Sequence, residues 1–426
     1  MERYEKYKDS GFDWIGEIPE HWKSIRLKYI GYLYGGLSGK SSKDFNQSSN
    51  PDNKPFIPFT NIANNKVIDP NQLQYVVIKE DEKQNQVEKG DLFFMMSSEN
   101  YEDVGKSTIL LDDLGEAYLN SFCKGFRFTE QEYFPTFINY LLLSQPYRSL
   151  LQIEANGFTR INLKIDKVND LSLKVPPFKE QTAIADYLDR KTAEIDELIS
   201  QKEQLLKLYE EEKTVIINQA VTKGLPCKDA RTCVSFKDSG IDWLGEIPEH
   251  WEVKKIKYIS DLRSGNNLTS SQIKLSDDFP VYGGNGLRGY YSEFTHNGDF
   301  VLIGRQGALC GNINYAKGKF WATEHAVVAT PKVEYEIIWF GELLRIMNLN
   351  QYSVAAAQPG LAVDTIRNLT IPVPLFEEQT TIVKHIETEI NRKNNKAEKT
   401  KKLIDLLSEY KQSLISEVVT GKIKVI

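Results

Sequence analysis

Cysteine is scarce in this 426-residue chain, and its four thiols, Cys123, Cys227, Cys233 and Cys310, are too few to staple a protein of this length. A disulfide framework is therefore excluded. Cys227 and Cys233 are separated by five residues with no clustered histidine, which is not zinc-ligand spacing. The five histidines, His21, His250, His296, His325 and His385, are scattered and give no triad spacing. No run approaches the roughly 18 to 20 apolar residues that cross a bilayer, and the opening MERYEKYKDSG lacks the apolar stretch of a signal peptide. A cytoplasmic location is the expectation. An excess of positive charge is also missing: 53 bases against 59 acids give −6. Any surface for nucleic acid must then be a local patch, with a partner supplying part of the phosphate neutralisation.

What is present is a repeat. KDSGFDWIGEIPEHW at positions 8–22 returns as KDSGIDWLGEIPEHW at 237–251, identical at 13 of 15 positions. A second block, VPPFKEQT at 175–182, returns as VPLFEEQT at 373–380. The intervening segments, 23–174 and 252–372, share no obvious motif. With an apolar share of 41% and 26% charged residues, each is large enough to fold around a core of its own. A duplicated frame holding unlike inserts suits a molecule that presents two different readers.

Each VP block opens a long amphipathic stretch. From Thr182 to Thr222, Ile184, Leu188, Ile195, Leu198, Leu205, Tyr209 and Ile216 fall on alternating steps of four and three, with Lys191, Lys202 and Glu212 filling the remaining positions, the imperfect seam of a long helix about 60 Å in length. Gly224 and Pro226 stop it. The second copy, Thr380 to Thr420, places Ile382, Ile386, Leu403, Leu407, Tyr410 and Leu414 on the same register and ends at Gly421, with a polar middle at 391–402. Residues 175–224 carry −3 and residues 373–426 carry +2, so the two helices are expected to pair with each other. The inserts read as mixed and largely β, with strands over 75–78, 91–95, 126–128, 299–303 and 326–329 and one helix in each, over 134–151 and 336–347. The fold class is α+β.

Catalytic patterns are weak. Pro176, Pro177 and Phe178 follow Val175, which cannot bond a flipped base, and no glycine-rich cofactor loop accompanies them. Pro51, Asp52, Asp81 and Lys83 imitate a metal-nuclease pattern, but Lys79 to Lys83 reads as a charged turn. His21 and His250, beside Trp22 and Trp251, occupy equivalent repeat positions and read as structural. More suggestive are VYGGNGLRGYY at 281–291 and IGRQGALCGN at 303–312, which offer Asn285, Arg288, Arg305 and Gln306 on glycine turns. Arginine pairs with guanine O6 and N7, and asparagine or glutamine with adenine N6 and N7. In the first insert, Lys40, Lys43, Asn61, Lys106 and Arg160 are the corresponding candidates.

Those residues together resemble the DNA specificity subunit of type I restriction-modification systems. The resemblance rests on GEIPEHW at Gly16 and Gly245, on IGRQGALCGN, and on the two VP blocks, and it spans nearly the whole chain. It implies two target recognition domains, 1–174 and 225–372, the latter including a linker. Spacer helices at 175–224 and 373–426 would join them, paired as an antiparallel coiled coil with pseudo-twofold symmetry. It further implies a non-catalytic subunit without cofactors of its own that binds double-stranded DNA. The partners implied are two modification subunits using S-adenosylmethionine and a motor-nuclease subunit using ATP and magnesium. The rival readings are a stand-alone DNA-binding regulator and a two-headed protein scaffold. A 60 Å rod would separate two half-sites by at most roughly 18 base pairs, or about one helical turn if tilted. Inserting four residues into the helical seam is therefore expected to lengthen the recognised spacer, and an unchanged methylation site would count against the helices as its ruler.

Overall fold

The two repeated blocks meet in space. In the first half, the strand that follows one block, Lys23–Arg26, pairs antiparallel with Ser172–Val175, the strand that precedes the other. The second half repeats this with Glu252–Lys255 and Thr370–Val373. Each insert leaves and re-enters through one two-stranded ribbon. The computed structural model describes residues 2–45, 47, 50–225, 234–307, 309–353 and 360–425. Cys227, Cys233, Pro226 and Ala308 of the sequence motifs lie outside the described residues.

Each ribbon is locked by a carboxylate. Trp22 and Trp251 are fully buried, and a buried indole N–H usually finds an acceptor. The Trp22 Nε1–H donates to Glu180 Oε1 at 3.1 Å, with His21 Nε2 2.8 Å from the other oxygen. In the second half, Trp251 donates to Glu378 Oε1 at 3.0 Å and His250 Nε2 lies 2.8 Å from Oε2. The histidines are structural, as their repeat position suggests. Tyr4 also donates to Glu180, at 2.6 Å; burial, then that bond, push its phenol well above its usual range. The glutamine that follows each glutamate anchors the next layer. Gln181 accepts from the Phe134 amide at 2.8 Å and donates to Pro176 O at 2.9 Å. Gln379 accepts from the Glu336 amide at 3.0 Å and donates to Pro374 O at 3.0 Å. Phe134 and Glu336 are the N-cap residues of helices Pro135–Leu143 and Ile337–Ile346, and neither supplies a side-chain cap of its own.

Inside the inserts, sequences with no common motif build the same sheet. In the first, the strand order is Gly31–Gly35, Cys123–Phe128, Leu92–Met95 and Ser107–Ile109, antiparallel throughout. In the second it is Ser260–Ser264, Ala326–Pro331, Phe300–Gly304 and Ile313–Ala316, again antiparallel throughout. The additions differ. The first carries Asn53–Ile57 between Tyr118–Leu119 and Gln74–Val77, whereas the second carries a four-stranded sheet over Gly286–Tyr291, Phe279–Gly283, Lys319–Ala322 and His296–Asn297. The helix expected over 134–151 is two helices, Pro135–Leu143 and Gln145–Glu154, with Ser144 extended at ψ 148°. Pro146 is the reason: it has no N–H for the carbonyl four residues back, and its ring would clash there.

The long helices run Phe178–Lys223 and Phe376–Val419, 46 and 44 residues, or about 69 and 66 Å. The chain forms two compact units, one of residues 1–202 with 402–426, the other of residues 203–401. Within each, the helices lie antiparallel. In the first, Ile184, Leu188 and Ile195 share a core with Leu414 and Val418, and Lys411 Nζ meets Asp196 Oδ1 at 2.5 Å. In the second, Ala220 and Val221 share a core with Ile382 and Ile386. There the polar middle is joined by charge: Lys393 pairs with Glu212, and Lys213 donates to Asn394 at 3.0 Å. The lysines that reach the carboxylates stand on the basic helix, which accords with the opposite net charges of the two segments. The expected seam departs from the structure at Leu198, Leu403 and Tyr410, which are exposed; Ile199 packs inward beside the first of these, and Leu407 packs inward as expected.

Both helices end on a glycine in the left-handed region, Gly224 and Gly421, each at φ 74°. A Cβ on Gly421 would fall 2.3 Å from Pro19 Cδ in the first unit's repeated block. Lys422 then donates to Glu17 O at 2.5 Å, and Lys223 makes the equivalent bond to Glu246 O. Among the described residues no helix is long and apolar enough to cross a membrane. Removing either carboxylate, by Glu180→Ala or Glu378→Ala, strands a buried indole donor and is expected to destabilise its unit by about 2 kcal/mol. Urea denaturation checks this, and an unmoved midpoint in both variants would contradict the locking role.

Candidate nucleic-acid interface

Three of the sequence candidates are spent inside the fold. The Lys40 side chain is 5% exposed, donates to Val77 O at 2.6 Å and pairs with Glu82. Asn61 is fully buried. Its amide donates to Asp69 O at 2.9 Å, and its oxygen accepts from Asp69 N at 3.1 Å and from Asn65 at 2.9 Å. Lys106 donates to Asp103 at 2.6 Å and to Ala63 O at 3.2 Å. Burial opposes ionisation of Asp103, but hydrogen bonds from Lys106 and Asn100 hold its carboxyl below the usual range. Asn61 has no exposed surface to offer a ligand, and Lys40 and Lys106 each spend two of three N–H donors inside the fold, so all three are corrected to residues engaged by the fold itself. Residue type and loop position could not reveal partners that only folding brings together.

The remaining first-insert candidates face solvent. Lys43 is exposed in a short turn that Ser41 and Asp44 close with a capping box. Arg160 lies with its guanidinium 4.5 Å from the centre of the Phe122 ring. Arg160 and Phe122 border a cleft of about 340 Å³ that Ser97, Lys124 and Asn162 also line. Among the described residues, no carboxylate stands within ion-pair distance of Lys43, Lys124 or Arg160. Sequence reasoning passed over Phe122 and Lys124. Their signal is a large apolar residue set in the polar turn NSFCKG, where nothing local can bury it.

In the second insert the structure brings all four candidates together. The turn from Gly283 to Gly286 leans on the end of strand Phe300–Gly304 so closely that a Cβ on Gly304 would meet Gly284 O at 2.2 Å. Only glycine permits that approach. Asn285 accepts from Asn312 at 3.1 Å, Arg305 donates to Ser264 Oγ at 3.2 Å, and the Gln306 backbone bridges to Gly360. Arg288, Asn285 and Gln306 are exposed, and Arg305 is half-buried. Ser264 and Gly304 end their strands while Ala326 and Ile313 begin theirs, so these groups gather at one end of the four-stranded sheet. The first insert places its cleft at the same end of the equivalent sheet. There Gly35 and Met95 end strands, Cys123 and Ser107 begin them, and Phe122 and Lys124 flank the start of one. One end of one sheet design therefore presents two unlike sets of side chains.

Comparison with known proteins places this arrangement. The family model described as the type I restriction modification DNA specificity domain matches residues 19–208 and again 248–405. The type I restriction enzyme EcoprrI specificity subunit of Escherichia coli is 45% identical over 130 residues, 30% of this chain and 32% of that one. The chain thus spans about a third of that relative's length. Longer matches are weaker. The putative type I restriction enzyme MjaX specificity subunit of Methanocaldococcus jannaschii is 26% identical over an alignment of 457 positions covering 98% of both chains. The EcoKI specificity subunit of Escherichia coli K12 is 23% identical, covering 96% of this chain and 90% of that one. The crystal structure of the HsdS subunit from Thermoanaerobacter tengcongensis shares the fold with a TM-score of 0.60 at 14% identity, covering 97% of this chain and all of that one.

The division between spent and free side chains is testable by thermal denaturation. Arg160→Ala and Arg288→Ala, which break no ion pair, are expected to leave the melting temperature unchanged. Asn61→Ala leaves buried polar groups without partners and is expected to cost about 2 kcal/mol. The reverse order of effects would contradict the assignment.

Proposed function

Because this chain belongs to the type I restriction-modification DNA specificity family, we propose that it is the specificity subunit of such a complex, reading a split and asymmetric duplex sequence. The first unit reads one half-site with the groups around Phe122, Lys124 and Arg160. The second reads the other with Asn285, Arg288, Arg305 and Gln306. Arginine suits guanine, and asparagine or glutamine suits adenine, in the major groove. The cations without carboxylate partners supply phosphate contacts. The observation that carries this reading is the sheet end common to both inserts, dressed with different side chains in each. An asymmetric target is what such a pair would select.

Bond-making falls to partners. Two modification subunits use S-adenosylmethionine to methylate adenine in the target, and a motor-nuclease subunit uses ATP and magnesium. The modest acidity of this chain, −6 overall, is consistent with partners that share the neutralisation of DNA. A two-headed protein scaffold is not favoured, since it gives no reason for uncompensated arginines at both sheet ends.

Module exchange tests the proposal. The ribbon formed by Glu252–Lys255 and Thr370–Val373 marks where the second reader joins the frame. Residues 252–372 can therefore be replaced with the same segment of another family member. Mapping methylated adenines after the exchange is expected to show one half-site changed and the other retained, and change in both halves would overturn it. The complex should also lose duplex affinity steeply with added salt.

A further inference from the structure

The first unit holds an aromatic side chain in a position that folding does not explain. Phe158 is 99% exposed, at the tip of a short loop that is firmly closed. Asn156 and Asn162 exchange two backbone hydrogen bonds, of 3.0 and 2.9 Å, and Ile161–Asn162 pairs with Ser97–Ser98. Gly157 sits at φ 151°, and a Cβ there would fall 2.0 Å from Arg160 O, so the turn is too tight for any side chain at that position. Tyr101, half exposed, donates to Gly157 O at 3.4 Å from the outside. The closed loop thus holds Phe158 out in solvent, two residues along the chain from Arg160 of the cleft wall.

The surroundings indicate what the ring meets. Arg160 lies over Phe122. Lys124, Arg160 and Lys164 have no carboxylate within ion-pair distance among the described residues. An apolar ring beside uncompensated cations fits a polyanion whose units also carry π-faces, which is a nucleic acid. Side chains inserted between base pairs unstack the step and kink the duplex. We propose that Phe158 is a wedge that enters the base stack at the half-site read by the first unit, while Arg160 and Lys124 hold the adjoining phosphates. This rests on the DNA-reading function proposed above and adds to it a distortion of the half-site read by the first unit.

The test uses the full complex with its partner subunits and a duplex carrying the target found by methylation mapping. 2-Aminopurine is placed in turn at each position of the two half-sites. Binding of the unaltered complex is expected to raise fluorescence severalfold at a step in the first unit's half-site. Phe158→Ala should abolish that rise and weaken binding by about tenfold, while Phe158→Trp should keep both. Because the ring is fully exposed, neither variant should alter the melting temperature. A fluorescence rise that persists in Phe158→Ala overturns the wedge but leaves the functional reading standing. Failure of the unaltered complex to bind duplex in a salt-dependent way overturns the functional reading itself. Phe158→Ala that binds DNA normally but no longer assembles with the partner subunits would assign the ring to a protein contact and also overturn the wedge.

Discussion

A buried indole N–H with one carboxylate to receive it is the constraint on which the rest of this structure depends. Trp22 and Trp251 are fully enclosed, and each has its acceptor in the glutamate of a VP block more than a hundred residues along the chain. Burying either indole without its glutamate would leave a desolvated donor unpaired, which penalises compact arrangements that keep the two blocks apart. Once they meet, the strands beside them pair, and the following glutamine fixes the start of the next helix. Three consecutive layers are positioned from two residues.

That closure explains how the halves diverged so far without losing their frame. Each insert is a loop whose ends are tied at one ribbon, so changes between the ends do not propagate to it. The four-stranded sheet survived in both inserts because its requirements are alternation and size rather than identity. Phe93, Phe94 and Phe126 fill one, and Val301, Ile303, Val327 and Ala329 fill the other. The segments beyond those strand ends carry exposed side chains, Phe122 in one insert and Asn285, Arg288 and Gln306 in the other. The side chains proposed to read DNA thus stand at the margin of the packed sheet that both inserts share, outside its core.

Repetition and periodicity were legible in the sequence. The long helices, their stops at Gly224 and Gly421, the strands near 92–95 and 300–304 and the structural place of His21 and His250 all follow from pattern. The common sheet was hidden, because strand pairing between distant segments leaves no repeated motif. The split at Ser144 was readable in principle from Pro146, but the apolar run on either side obscured it. Among the site residues, loop position sorted poorly. Lys40, Asn61 and Lys106 have the right chemistry, yet Glu82, Asp69 and Asp103 already use it. Arg288 and Arg160 differ from them only in what folding leaves unpaired.

The most direct test of the central constraint is hydrogen exchange at the individual tryptophan indoles, followed by NMR. Trp14, nearly half exposed, serves as the internal reference. The Nε1–H groups of Trp22 and Trp251 are expected to exchange only through global opening of their units, orders of magnitude more slowly than that of Trp14. Exchange of either one at the Trp14 rate would mean that the carboxylate does not hold it, and the account of how these two frames are closed would be contradicted.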